Sequence, residues 1–335
     1  MAGLLRPLTI GNVRLPNNLV LSPMAGFSDL PFRVLCRRHG AGLVCSEMVA
    51  ATSVVREIPN TLLRMQTLAD ETPMSIQLFG TDAAAVEQAA RDLDARCAIV
   101  GFNMGCPAHQ IKRQGCGAAM LDKPDWAIAM LRAVRRGTDK PVMAKMRLGN
   151  RNAIDYVDFA KRLDDEGVDA LIVHGRTAAQ GYSGHSDWAA IAAIKAAVDM
   201  PIIGNGDIRD GATAARALAI SGVDGLAIGR ATLGDPHIFA RIAHELDSGE
   251  ALAPHDAKTR FAEFEEYLDM ALALGLPLIQ IREQAQKFTR DIPGAPQLRT
   301  AFTKLHSADA VRAAFCDHVI DLGAADPRAV TVPSR

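Results

Sequence analysis

Residues Ile99–Cys106 read IVGFNMGC, an apolar run that closes on Asn103, a glycine and a cysteine. A short apolar segment of this kind is what a strand covered on both faces looks like. Seven more share the pattern: Leu19–Ala25 (LVLSPMA), Gly42–Val49 (GLVCSEMV), Pro73–Gly80 (PMSIQLFG), Pro141–Gly149 (PVMAKMRLG), Ala170–Arg176 (ALIVHGR), Pro201–Ile208 (PIIGNGDI) and Gly225–Ala231 (GLAIGRA). Amphipathic helices are expected between them, over Asp82–Arg96, Asp125–Arg136, Ala153–Glu166, Trp188–Val198 and Asp210–Ser221. Eight strands alternating with helices over roughly 250 residues predict an α/β fold, a (β/α)8 TIM barrel. A doubly wound sheet is the rival, lowered by the lack of GxGxxG after the first strand.

Past Ser248 the pattern changes. SGEALAPHD reads as a linker, and helical segments without strand runs follow over Lys258–Leu274, Leu278–Arg290, Gln297–His306 and Asp309–Leu322. Residues 1–250 are therefore expected to form the barrel and residues 251–335 a small all-α helical domain. Within Ile279–His306, Arg282, Lys287, Arg290, Arg299 and Lys304 face two acids, Glu283 and Asp291. That excess suits either a solvated helix face or a polyanion.

Composition narrows the class. The chain has 335 residues, 49% of them hydrophobic, and a formal net charge of −1. A basic coat is excluded, so a polyanion must meet a local patch. The six cysteines form no CxxC, which suggests neither a disulfide framework nor a structural zinc. No metal is expected. The N-terminal residues lack a long apolar core, and the apolar run Met270–Ile279 is broken by Gly275 and Pro277, so neither a signal peptide nor a membrane span is expected. A reducing, cytoplasmic home and a monomer are the expectations.

Active sites of such barrels form at the carboxyl ends of the strands. Polar residues stand there in otherwise apolar runs: Gln77, Asn103, Cys106, Lys145, His174, Arg176, Asn205-Gly206-Asp207 and Gly229-Arg230. Buried polar groups are costly unless hydrogen-bonded or used. The glycine turns after strands seven and eight could bring backbone N–H groups to a phosphate, or be tight turns only. Lys145 could stand beside a flavin ring or form a Schiff base. Gln77 could bond a flavin edge, and His174 is either a catalyst or a satisfied core histidine. Ser22–Asp29 (SPMAGFSD) could lay Pro23, Met24 and Ala25 against a flat ring.

These motifs resemble the tRNA-dihydrouridine synthase family. The matching segments are PMAGFSDLPFR (23–33), SEMV (46–49), IQLFG (76–80), NMGCP (103–107), AKMRLG (144–149), HGRT (174–177), NGDI (205–208) and IGRATLGDPHIF (228–239). They run in family order across nearly the whole barrel. The resemblance implies an FMN-dependent oxidoreductase that reduces uridine in tRNA, with NADPH or NADH as electron source. It implies Cys106 as proton donor, and FMN held by Pro23, Met24, Ala25, Gln77, Lys145, His174, Asn205, Gly206, Asp207, Gly229 and Arg230. Asn103, Arg176, Lys287 and Arg290 are candidates for substrate contacts. The tail resembles the bacterial B-type segment, but carries Glu283-Gln284 and Lys287-Phe288 where that type usually has Lys-His and Trp-Tyr.

The chemistry of the pyrimidine agrees with the role implied for Cys106. Uracil's C5=C6 bond is conjugated to its C4 carbonyl, so C6 accepts a hydride and C5 then needs a proton. A thiol, mostly protonated at neutral pH, can supply it. A metal role lacks partners at ligand spacing, a redox pair would want a closer cysteine, and Cys116 reads as packing. The rivals are an FMN barrel acting on a free pyrimidine, as dihydroorotate dehydrogenase does, a synthase acting on another RNA, and a tRNA binder without catalysis. The basic helical tail argues against the first; the Cys106, Lys145 and His174 set argues against the last.

Overall fold

The structure, a computed structural model, describes residues 3–325, so the last ten residues of the expected helical segment lie outside it. A hairpin of β1 (Leu8–Ile10) and β2 (Val13–Leu15) leads into eight parallel strands: β3 (Leu19–Leu21), β4 (Leu43–Ala50), β5 (Met74–Phe79), β6 (Ile99–Met104), β7 (Val142–Arg147), β8 (Ala170–His174), β9 (Ile202–Asn205) and β10 (Gly225–Ile228). They close into a barrel in sequence order, with β10 pairing β3. The expected barrel is borne out strand by strand. The hairpin is additional: Ile10 and Leu15 are fully buried against Val20, Leu43, Ile99 and Ile203, and so plug the amino-terminal end.

Around the barrel lie α1 (Leu30–Arg38), the short α2 (Ala51–Val55) and α3 (Pro59–Arg64), then α4 (Ala83–Asp92), α5 (His109–Lys112), α6 (Pro124–Gly137), α7 (Tyr156–Asp165), α8 (Trp188–Lys195), α9 (Gly211–Ser221) and α10 (Ile238–Ser248). Aspartates mark several starts. Asp29, Asp82, Asp155, Asp187 and Asp210 each accept a bond from the first turn of the helix that follows. This cap explains why α7 begins at Tyr156 rather than at Ala153, whose backbone instead bridges Gly149.

All the barrel strands but β4 also end before their apolar runs do. Pro23 has no N–H to offer a ladder and Gly206 turns away with φ 127°; Cys106, Arg176, Asp207 and Arg230 lie just past the strand ends, whereas Gln77, Asn103, Lys145, His174 and Asn205 stay on their strands. Beyond α10 come α11 (Ala257–Ala273), α12 (Leu278–Phe288), α13 (Ala295–Phe302) and α14 (Ala308–Ala325), packed through Phe264, Phe288, Phe302 and Phe315. This helical unit touches the barrel closely. A Cβ on Gly234 would sit 1.9 Å from the Lys287 carbonyl oxygen, so only glycine fits there.

Candidate active site

Side chains alternate along a strand, and the barrel interior takes every second one. In β7, Met143 lies in the interior floor while Ala144 and Met146 face the helices. Lys145 and Arg147 therefore rise inward above that floor. The same alternation brings Asn103 above Ile99, His174 above Ile172 and Asn205 above Ile203. Parallel register then sets them side by side, with Asn103 opposite Lys145, Arg147 opposite His174, and His174 opposite Asn205. Period and register together build a ring of polar groups at the carboxyl end.

The ring opens on a cavity of about 650 Å³. Of the residues expected from sequence, it is lined by Pro23, Met24, Ala25, Gln77, Asn103, Cys106, Lys145, His174, Asn205, Gly206, Asp207, Gly229, Arg230 and Arg290. Phe27, Met48, Arg147, Tyr182 and Arg209 also line it and were not singled out in the sequence. Two-residue spacing from Lys145 was a signal for Arg147; Tyr182 arrives on a long loop and gave none. Five cations (Lys145, Arg147, Arg209, Arg230 and Arg290) against one carboxylate, Asp207, favour an anionic or electron-rich ligand.

Two substrate candidates stand elsewhere. Arg176, expected at the mouth, is 1% exposed and does not line the cavity. Its guanidinium donates to the Ser183 and Gly184 carbonyls and to Asp207 Oδ2 at 2.7 Å, so it holds the site together from behind. Lys287 lies beside the mouth with its Nζ 5.1 Å from the Phe27 ring centroid, in a second concavity shared with Arg230, Arg290 and Arg299.

Asn103 acts on its own strand end. Its Oδ1 accepts from the Gly105 and Cys106 N–H groups at 3.1 and 2.9 Å, and its Nδ2 donates to Gln77 Oε1 at 2.7 Å. The bonds fix the Cys106 backbone, and with its oxygen engaged, Gln77 offers the cavity a donor. Gly117, at φ 59°, passes so close that a Cβ would meet the Cys106 carbonyl oxygen at 2.7 Å. Cys106 is half-buried on the cavity wall; Cys116 is buried and outside it.

Burial pulls the Lys145 ammonium down to about 8, with the Arg147 guanidinium adding to the effect. Burial, then the charges of Lys145, Arg147, Arg176 and Arg230, drive His174 to about 2. His174 is thus neutral at any physiological pH. Arg176 Nη1 stands 3.4 Å from its Nε2 and can only donate, which leaves the ring proton on Nδ1. Burial works to raise the Asp207 carboxyl, but the Ser186 N–H and the Arg176 and Arg230 guanidinium groups outweigh it and hold it below its ordinary value. At Gly206 a side chain is excluded twice, by φ 127° and by Ser186 Oγ 2.4 Å from any Cβ. Among the described residues no cluster of three or more His, Cys, Asp or Glu side chains could hold a metal, and no helix is long and apolar enough to cross a membrane.

A closed barrel with a cationic, thiol-bearing cavity at its carboxyl ends defines a barrel enzyme. Solved structures share the fold. They include an old yellow enzyme homologue from Zymomonas mobilis (TM-score 0.51, 14% identity, 77% of this chain and 96% of that one). Morphinone reductase in complex with tetrahydroNAD is another (TM-score 0.52, 14% identity, 78% and 94%). The chain belongs to the dihydrouridine synthase (Dus) family, whose model matches residues 20–322. It is 39% identical over 306 residues to tRNA-dihydrouridine synthase B of Pseudomonas aeruginosa, covering 90% of this chain and 92% of the relative. With the Escherichia coli protein of the same name it shares 39% over 252 residues, 74% of this chain and 78% of that one.

Proposed function

We propose that this chain reduces uridine in tRNA to 5,6-dihydrouridine, using FMN and electrons from NADPH or NADH. Residues 1–250 would do the chemistry and residues 251–335 meet the RNA. The observation that carries the reading is Cys106 on the wall of a cavity that also presents Lys145, Gln77, His174 and the two glycine turns. Family membership and the substrate named for the Pseudomonas aeruginosa relative support it.

The residues fit FMN. The turns Asn205-Gly206-Asp207 and Gly229-Arg230, with Arg209 beside them, suit a phosphate monoester. At Gly229 a Cβ would stand near Met24 Sδ and the Ser22 side chain, in the space where a ring would lie against Pro23, Met24 and Ala25. Lys145 would sit at the electron-rich edge of that ring, with Gln77 NH2 and His174 Nδ1–H as neutral donors. When bound, FMN supplies a hydride equivalent, taken by the uracil at C6. The Cys106 thiol gives its proton to C5, so a hydride and a proton add across C5=C6, and solvent later reprotonates the sulfur. Lys145 and Arg147, cations lining the same cavity, would oppose the negative charge left on the sulfur. Asn103 holds the cysteine in place through its backbone.

The uracil must leave its stack to enter the barrel mouth. Arg230, Lys287, Arg290 and Arg299, gathered beside that mouth, suit the flanking phosphates and favour a polynucleotide over a free pyrimidine. The test is nucleoside mass spectrometry, mapped by position, on tRNA treated with purified yellow protein and NADPH. A colourless protein that takes up no FMN, or tRNA that gains no mass of two hydrogens at any uridine, would overturn the reading.

A further inference from the structure

The loop Pro23–Asp29 forms one wall of the cavity, yet part of its anchor comes from the helical unit. Asp29 is buried, and its Oδ1 caps α1 by accepting from Phe32 N–H at 3.0 Å. Its Oδ2 accepts three bonds from the other unit: Tyr267 Oη–H on α11 at 3.0 Å, and on α12 Gln280 Nε2 at 2.9 Å and Gln284 Nε2 at 3.2 Å. Gln284 Nε2 also donates to the Phe27 carbonyl at 2.9 Å, directly to the cavity wall. On the barrel side, Glu47 accepts from Gly26 N–H at 2.7 Å.

This hub is not built for stability alone. Burial pushes the Asp29 carboxyl up to about 6, against the bonds from Phe32, Gln284, Gln280 and Tyr267 that lower it. Gln284 is fully buried, and its Oε1 has no partner among the described residues. A buried amide oxygen left unpaired is a cost the molecule carries. Both neighbours of Gln284 Nε2 are acceptors, so the amide cannot turn over to relieve it. The orientation that leaves Oε1 orphaned is the one that grips Phe27 and Asp29 together.

We propose that Tyr267, Gln280 and Gln284 are positioning residues for the reaction: through Asp29 and Phe27 they let the helical domain set the cavity wall that carries Pro23, Met24 and Ala25. The helical unit then has a catalytic consequence independent of any phosphate it binds. The kinetic part rests on the cavity being the reaction site as proposed above; the structural part does not.

The experiment compares Tyr267→Phe and Gln284→Ala with Val311→Ala, a core truncation on α14 that removes none of the hub's hydrogen bonds. Tyr267→Phe keeps the buried ring and removes one bond, so it answers the question even where Gln284→Ala fails to fold. Hydrogen exchange of a peptide spanning residues 24–29 is expected to quicken by about tenfold, the scale of one lost buried hydrogen bond. At saturating tRNA, kcat should fall by a similar factor while KM for tRNA stays within about twofold, because phosphate contacts are untouched. Val311→Ala should lower the Tm without either change. Unchanged exchange at 24–29, or equal quickening in Val311→Ala, overturns the latch. Quickened exchange with wild-type kcat overturns its role in the reaction. If the parent reduces no uridine at all, the functional reading fails, and the exchange data decide the latch by themselves.

Discussion

Replacing Asp207 by Asn tests how the turn proposed for the phosphate is built. Asp207 sits at φ 59°, a conformation asparagine tolerates, so the backbone should not object. The carboxylate is the issue. Oδ2 takes Arg176 Nη2 at 2.7 Å and the Ser186 N–H at 2.8 Å, while Oδ1 takes Arg230 Nη2 at 3.3 Å. Asparagine keeps one oxygen and turns an NH2 group toward an arginine. Arg176, whose side chain is 1% exposed, loses its charged partner. Breaking a buried pair costs about 3–5 kcal/mol, and since the Ser183 and Gly184 carbonyls still hold Arg176, about 3 kcal/mol is expected. At about 2–4 °C per kcal/mol, that lowers the Tm by roughly 6–12 °C.

Arg230→Ala is the comparison. Its side chain is 49% exposed, so its pair with Asp207 is screened and should contribute within about 1 kcal/mol. Thermal and urea denaturation should therefore separate the two variants, while FMN titration should find both weakened. The sign with pH follows from the depressed carboxyl. The Asp207 contribution is present above the unfolded value of 3.8 and is lost as pH falls through the lower folded value, so the stability gap between Asp207→Asn and parent should close in acid. An Asp207→Asn protein as stable as the parent at neutral pH would refute the account, as would equal destabilisation by Arg230→Ala.

Three further outcomes are expected. Cys106→Ala should leave NADPH oxidation near normal and slow uridine reduction by roughly 10²-fold or more, whereas Cys116→Ala stays near the parent; equal behaviour in single-turnover assays would remove Cys106 as the acid. With the Lys145 ammonium at about 8, deprotonation as pH rises through that value should weaken FMN binding, and Lys145→Met should flatten the profile in a fluorescence titration. Lys287→Ala/Arg290→Ala should bind tRNA more weakly, with a salt slope shallower by about 0.7 per lost contact to a single strand, while FMN binding persists; parallel slopes would place the RNA elsewhere.

The barrel was legible because its strands are buried on both faces, so they read as continuous apolar runs such as Leu19–Leu21 and Gly225–Ile228 recurring between helical segments. Much of the cavity was legible for a related reason: polar residues closing such runs must point at something. The β1–β2 hairpin was not, since its short strands carry exposed residues within them and show no continuous apolar run. Arg176 shows the limit most clearly. Its place after β8 announces an arginine at the mouth, but whether that arginine meets a ligand or is spent on Asp207 depends on a residue thirty-one positions away. Asn103 lines the cavity as expected, but only the structure shows its bonds to Gln77 and the Cys106 backbone. Sequence alone determined which groups reach the carboxyl end of the barrel, because strand period and burial are local. Which of them remain free for a ligand was decided only by tertiary structure, because hydrogen-bond partners are drawn from strands and loops that the chain brings together last.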